Sequence, residues 1–176
     1  MIALSLWQPW SSLVIIGAKK IETRSWPWPK GSRLPCRIAI HAAKKWTGQL
    51  EAMCRKEPFC AALKEAGFTV PWPGEDYRVS KTNLPRGVLL GTVEVVDCIA
   101  VEMVTVADHV LPGNAAMPHA GGYYVSAQEH AFGDYGPGRW AWLLRDPRPL
   151  LEPIPYRGRQ GLWEIEDPRP RPEADF

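Results

Sequence analysis

The 176-residue sequence has few cysteines and no paired ones: Cys36, Cys54, Cys60 and Cys98 form no Cys-x-x-Cys and share no repeated spacing. A zinc site built from them is therefore not expected, and buried reduced thiols are. Long apolar runs are missing too. Runs such as Leu13 to Ile16 are far too short to cross a bilayer. No basic segment followed by a long apolar one opens the chain, as it would in a signal peptide. These absences point to a cytoplasmic protein with no membrane partner. Net charge is nearly absent, at +2. That excludes a global field for nucleic acid but leaves room for a local basic patch. There is no glycine-rich loop of phosphate-binding spacing, no Gly-x-Ser-x-Gly elbow and no His-Glu-x-x-His helix. Nucleoside-triphosphate and metallohydrolase chemistry thus find no support, and neither metal nor cofactor is expected.

What is present is apolar and aromatic. Apolar residues make up 45% of the chain and nine residues are tryptophan, enough for a core in one domain. Some of these indoles must line surfaces where their N–H finds a partner. A strand is expected over Met1 to Leu6, then a short helix opened by Pro9, with Trp10, Leu13 and Val14 on its inner face and Gly17 at its end. Cys36 to Ala42 alternates as a half-buried strand, and two short helices follow. Pro71 to Arg86 reads as a loop. Val88 to Cys98 reads as a central buried strand, with Gly91 at a bulge or bend. Thr105 to Gly122 reads as loop, and Ser126 with Glu129 has capping-box spacing for a helix from Ala127 to Phe132. Arg139 to Leu144 is a strand, Pro147 to Pro155 an extended connection, and Gly161 to Ile165 a last strand. The segment from Asp167 to Phe176 is proline-rich and charged, the composition of a disordered tail. No internal repeat or second domain boundary occurs.

One stretch has the composition of a site. After Gly17 the period changes to two, with Ile21 and Thr23 pointing one way and Glu22, Arg24 and Trp26 the other. Lys19 sits in the preceding turn. A lysine, a glutamate and an arginine thus share one rim beside aromatic surface, read here as a solvent-facing cluster that folding does not need. The bland alternative is a solvated salt bridge of little energetic weight. The functional alternative is recognition: Arg24 grips a phosphate or base edge with its planar fork, and Lys19 meets a phosphate as a point charge. Glu22 accepts from an exocyclic amine such as cytosine N4.

Gly17-Ala18-Lys19-Lys20-Ile21-Glu22-Thr23-Arg24 matches the pattern Gly-x-Lys-x-x-Glu-x-Arg, and here the chain resembles the ASCH domain family. Ser5-Leu6-Trp7-Gln8-Pro9-Trp10, Ile38 to Lys44, Phe132-Gly133-Asp134-Tyr135 through Trp142, and Arg157-Gly158-Arg159-Gln160-Gly161-Leu162-Trp163 resemble the family's bacterial and phage members in the same order. The resemblance implies an α+β protein: a small PUA-like β-barrel, closed by the last strand and flanked by short helices. It implies one ASCH domain over residues 1–166 and a cleft suited to RNA or a modified nucleoside. Certain members hydrolyse N4-acetylcytidine with a lysine and a threonine in this motif. Here Lys19 is kept but Glu22 stands where those members have threonine.

The candidate catalytic residues are therefore Lys19 and Glu22. The binding candidates are Trp7, Gln8, Arg24, Trp26, His41, Lys44, Tyr135 and Arg139. Gln8 serves either a base edge or the start of the helix, and His41 is either a cleft residue or a hydrogen-bonded structural one. Glu94 either lies on an exposed face or supplies a second carboxylate. The expected assembly is a monomer. RNA or nucleoside binding is the leading function, with a metal-independent nucleoside amidohydrolase as the alternative, or a ribonuclease using Lys19, His41 and Tyr135.

Overall fold

The computed structural model describes residues 1–70, 82–108, 110 and 116–166. The expected tail from Asp167, His109 and most of the loop after Pro71 lie outside them. The elements are β1 (Ile2–Leu6), α1 (Trp10–Ile15), β2 (Ile21–Arg24), β3 (Cys36–Ala42), α2 (Gly48–Cys54), α3 (Phe59–Glu65) and β4 (Val88–Ala100). After a 3-10 turn come β5 (Val104–Val106), β6 (Met117–His119), β7 (Gly122–Val125), α4 (Ala127–Ala131), β8 (Trp140–Pro155) and β9 (Leu162–Glu164).

Six strands form one mixed sheet in the order β2-β8-β4-β3-β1-β9, which curls into a half-barrel with short helices against it. β1 and β3 run parallel, and the required crossover is supplied by α1 and β2. β4, bonded on one side to β3 and on the other to β8, is the buried central strand expected from its β-branched sequence. The strand expected to close the barrel is present as β9, but among the described residues it pairs with β1 alone. The sheet therefore ends on β2 and β9 without joining them.

Two elements differ from the sequence reading. The supposed connection from Pro147 to Pro155 continues β8 and stays paired with β4 as far as Val88 opposite Pro155. β2 covers only Trp140 to Leu143. Beyond that point no strand pairs with this edge of β8 among the described residues, so a proline's missing donor is tolerated there. The second difference is a small sheet, β5-β7-β6, in which β6 and most of β5 fall in the span read as loop and β7 begins at its last residue. Its β5 and β6 are three residues each, too short to show an alternation.

α1 is the pivot of the core. Val14 and Ile15 pack with Leu4, Leu6, Ile38, Ile40, Val93 and Trp142 of the sheet, while Leu13 on the neighbouring face joins Phe59, Leu63 and Phe132. The helix is thus buried between the sheet and a helical layer, which is why a six-residue helix is stable here. Gly91 sits where β4 and β8 come closest. A Cβ built on it would lie 2.3 Å from the Arg148 carbonyl oxygen and 2.8 Å from Pro149 Cα, both backbone atoms. Gly91→Ala is expected to lower stability by about 1–3 kcal/mol, read as a fall in the urea midpoint at unchanged slope. A midpoint equal to that of the wild type would show that β8 yields freely.

Candidate functional site

Gly17, at φ 77°, ends α1 in the left-handed conformation and turns the chain into β2. β2 is an edge strand, with β8 on one side only. On its other side the buried carboxylate of Glu129 in α4 accepts from two successive amides, Lys20 N–H at 2.8 Å and Ile21 N–H at 3.0 Å. An edge that would otherwise offer unpaired donors is thereby closed. The segment after α4 covers the rest: Asp134 N–H donates to Thr23 Oγ1 at 2.9 Å, and Arg139 Nη2 donates to the Thr23 carbonyl at 3.2 Å.

This cover corrects the expected solvent-facing cluster. Lys19 is only 1% exposed and Glu22 6%, while Arg24 alone is half-buried. Alternation holds along β2, but both of its faces are roofed, so facing away from Ile21 does not mean facing water. Lys19 Nζ donates to the Ile21 carbonyl at 2.5 Å and lies 3.9 Å from Glu22 Oε2. Arg24 Nη1 is 3.5 Å from Glu22 Oε1, and its guanidinium stands over the Trp26 ring. Burial pushes the Glu129 carboxyl above its ordinary range, with Lys19 pulling it back. Burial, with the charges of Glu129 and Glu22, also raises the Tyr135 hydroxyl.

A cleft of about 1330 Å³ opens beside this group. Eight of the ten candidates line it: Trp7, Lys19, Glu22, Arg24, Trp26, His41, Lys44 and Arg139. Two do not. Gln8 is fully buried, its Oε1 accepting from Ser12 N–H and its Nε2 donating to the Pro85 carbonyl, so its amide secures the start of α1. The Tyr135 ring stacks on His130, and its hydroxyl is buried with no hydrogen-bond partner among the described residues. Glu94 is likewise absent from the cleft wall and pairs with Arg145 at 2.6 Å.

The far end of the cleft is built differently. His41 Nε2 lies 3.1 Å from the Tyr156 carbonyl, an acceptor only, so Nε2 carries the proton. His41 Nδ1 is then an acceptor for the Ser5 hydroxyl at 3.1 Å, and Ser5 Oγ in turn accepts from Trp163 Nε1 at 3.2 Å. Gly158 presses on this chain so closely that a Cβ there would come within 2.2 Å of His41 Cε1. Burial holds His41 below the usual histidine range, the Tyr156 contact opposing it. His41 is thus both cleft-lining and structural.

Glu129 and the Arg157–Gly161 wall carry no site role in the sequence reading. The capping spacing did mark Glu129, whose N–H is received by Ser126 Oγ at 3.1 Å. Its carboxylate does not reach back to the cap, as a capping box would have it, but leaves its own helix for β2.

Fold and cleft together define a half-barrel with a charged, aromatic-rimmed groove beside its sheet edge. A sequence model of the ASCH domain matches residues 4–132, and the chain belongs to the ASCH domain family. It is 37% identical over 166 residues to human (Homo sapiens) activating signal cointegrator 1, covering 93% of this chain and 22% of that protein. To the mouse (Mus musculus) protein of that name it is 22% identical over 164 residues, with the same coverage. The chain therefore spans about a fifth of the length of these relatives. The crystal structure of ASCH from Zymomonas mobilis aligns with a TM-score of 0.45 at 17% identity, over 94% of this chain and 87% of that one. Among the described residues no helix is long and apolar enough to cross a membrane, and no cluster of three or more metal-binding side chains occurs.

Two outcomes follow from the geometry. Lys19→Ala leaves the Glu22 and Glu129 carboxylates without their buried cation and is expected to cost about 3 kcal/mol or more. Arg24→Ala should cost under about 1 kcal/mol. Equal urea midpoints for the two variants would contradict the burial. For His41 the lowered pKa sets the sign. The unfolded state takes up the proton first, so the stability tied to the neutral ring is complete above its ordinary 6.5 and is lost as pH falls through the folded value. Glu129, being raised, titrates with the opposite sign, so the comparison must isolate His41. The stability gap between wild type and His41→Gln is expected to narrow on acidification from neutral pH; a constant gap would refute the assignment.

Proposed function

We propose that the cleft receives a nucleotide of an RNA, or a modified nucleoside, and reads its base with the motif residues of β2. The carrying observation is Glu22: a carboxylate with little exposure on a cleft wall, braced by Lys19 on one side and Arg24 on the other. A buried acceptor of fixed orientation suits an exocyclic amine such as cytosine N4, and rejects a carbonyl at the same position. Arg24, Arg139 and Lys44 supply donors for phosphate or base edges, and Trp26 supplies an aromatic wall. On this reading residues 1–166 act as one ASCH unit, a cytoplasmic monomer that needs neither metal nor cofactor.

The neighbouring charges also support a second reading, hydrolysis of an N4-acylated cytidine. Lys19 Nζ is already committed to the Ile21 carbonyl and lies 3.9 Å from Glu22 Oε2. Glu22 would then take a proton from water as the hydroxide attacks the acyl carbon, Lys19 would steady the oxyanion, and the proton would pass to the departing amine. Cytidine release from N4-acetylcytidine, followed by chromatography and lost in Glu22→Gln, decides between binding and turnover.

Titration with labelled single-stranded RNA is expected to show weak association with a shallow negative slope of log affinity against log salt. Arg24→Ala should weaken it about tenfold. In a nucleoside panel, Glu22→Gln should erase any preference for cytidine over uridine. Absence of binding at low salt, or an Arg24→Ala variant that binds like the wild type, would sink the reading.

A further inference from the structure

Three backbone segments meet at one lip of the cleft. The exit of β1 carries Trp7, the exit of β3 carries Lys44, Lys45 and Trp46, and the entry to β4 carries Arg86 and Gly87. They are laid side by side by hydrogen bonds: Ala43 N–H donates to the Leu6 carbonyl at 2.8 Å, and Gly87 N–H to the Ala42 carbonyl at 2.7 Å. Trp7 is 48% exposed, an unusual state for the largest apolar side chain. Lys45 Nζ lies 4.3 Å from the centre of the Trp7 ring, and the Arg86 guanidinium 5.1 Å from that of Trp46. Lys44, Lys45 and Arg86 are all exposed, and none pairs with a carboxylate among the described residues. Trp7 and Lys44 line the cleft, whereas Lys45, Trp46 and Arg86 lie outside its lining.

We propose that this lip is a track for a single strand of nucleic acid running out of the cleft, with Trp7 and Trp46 as successive stacking platforms and the three cations serving the phosphates. The inference rests on the reading of the cleft as a nucleotide site and extends it. Because Lys45, Trp46 and Arg86 lie outside the cleft lining, a ligand that engages the whole lip as well as the cleft is a strand of more than one nucleotide. Charge complementarity favours a polyanion. The placement of the cations on the ring faces, instead of beside them, favours one that also offers flat π surfaces. An acidic peptide would satisfy the ammonium and guanidinium groups but leave the rings uncovered. A base sliding onto Trp7 displaces Lys45 toward the adjoining phosphate, so ring and cation each keep a partner.

The experiment compares cytidine with a ribonucleotide trimer and hexamer by fluorescence titration at low and moderate salt. Affinity is expected to rise about tenfold or more from nucleoside to hexamer. Trp7→Ala, at an exposed position, should keep its thermal midpoint and lose about tenfold in hexamer affinity. The double variant Lys45→Ala/Arg86→Ala should leave cytidine binding intact, while weakening the hexamer and flattening its salt slope by about one. A hexamer no tighter than cytidine, or one indifferent to both variants, overturns the track while leaving the cleft reading standing. Loss of cytidine binding altogether, or cytidine binding untouched by Glu22→Gln, condemns the cleft reading instead. Hexaglutamate displacing the hexamer as well as unlabelled hexamer does would overturn the track in favour of a protein partner.

Discussion

The ammonium of Lys19 is held almost entirely out of water, and the architecture around β2 depends on how that charge is satisfied. Desolvating such an ion costs several kcal/mol unless partners replace the solvent. Here they are the Ile21 carbonyl, Glu22 beside it and the field of Glu129 from α4. Glu129 would itself be costly to bury, and its two oxygens are occupied by the Lys20 and Ile21 amides. One helix carboxylate thus compensates a buried cation, closes the edge of a four-residue strand and fixes α4 against the sheet. Trp10 reinforces the same joint from α1 by donating its indole N–H to the Phe132 carbonyl at 2.7 Å.

The consequence for the site is preorganisation. Glu22 cannot swing into solvent, because Lys19 lies on one side and Arg24, held near Trp26, on the other. A ligand therefore meets an acceptor whose position is already settled, which spares the ordering cost of flexible surface charges. The opposite end of the cleft follows another rule. The chain from Trp163 through Ser5 and His41 to the Tyr156 carbonyl is neutral and fully hydrogen-bonded, and ties β9, β1, β3 and the end of β8 together. The cleft thus has a charged, reading end and a neutral, structural end. The basic lip beside Trp7 adds a third, solvent-exposed surface.

Much of this was legible in the residues. The apolar period of Trp10, Leu13 and Val14, the stop at Gly17, the alternation of Cys36 to Ala42 and the β-branched run after Gly87 each report a local preference that survives in the fold. So do the cap of α4 by Ser126 and the gathering of Lys19, Glu22 and Arg24, since residues this close in sequence have little freedom to separate. Even Gly91 could be marked in advance, although its reason, the backbone of Arg148 and Pro149 crossing above it, lies far away in sequence.

What the sequence by itself determined is the identity, order and local face of the elements, because periodicity and turn chemistry act over a few residues. Only the tertiary structure decided which faces are covered. Nothing near Lys19 in the chain announces that α4 and the segment through Arg139 will roof β2, and that roof converts a surface cluster into a buried one. The same long-range packing moved Gln8 from a possible ligand contact to a brace for α1, withdrew the Tyr135 hydroxyl from the cleft, brought Glu129 to the site and left β9 paired, among the described residues, with β1 alone. Burial is a property of what packs against a side chain, and partners that hold Lys19, Gln8 and Glu129 come from elsewhere in the chain.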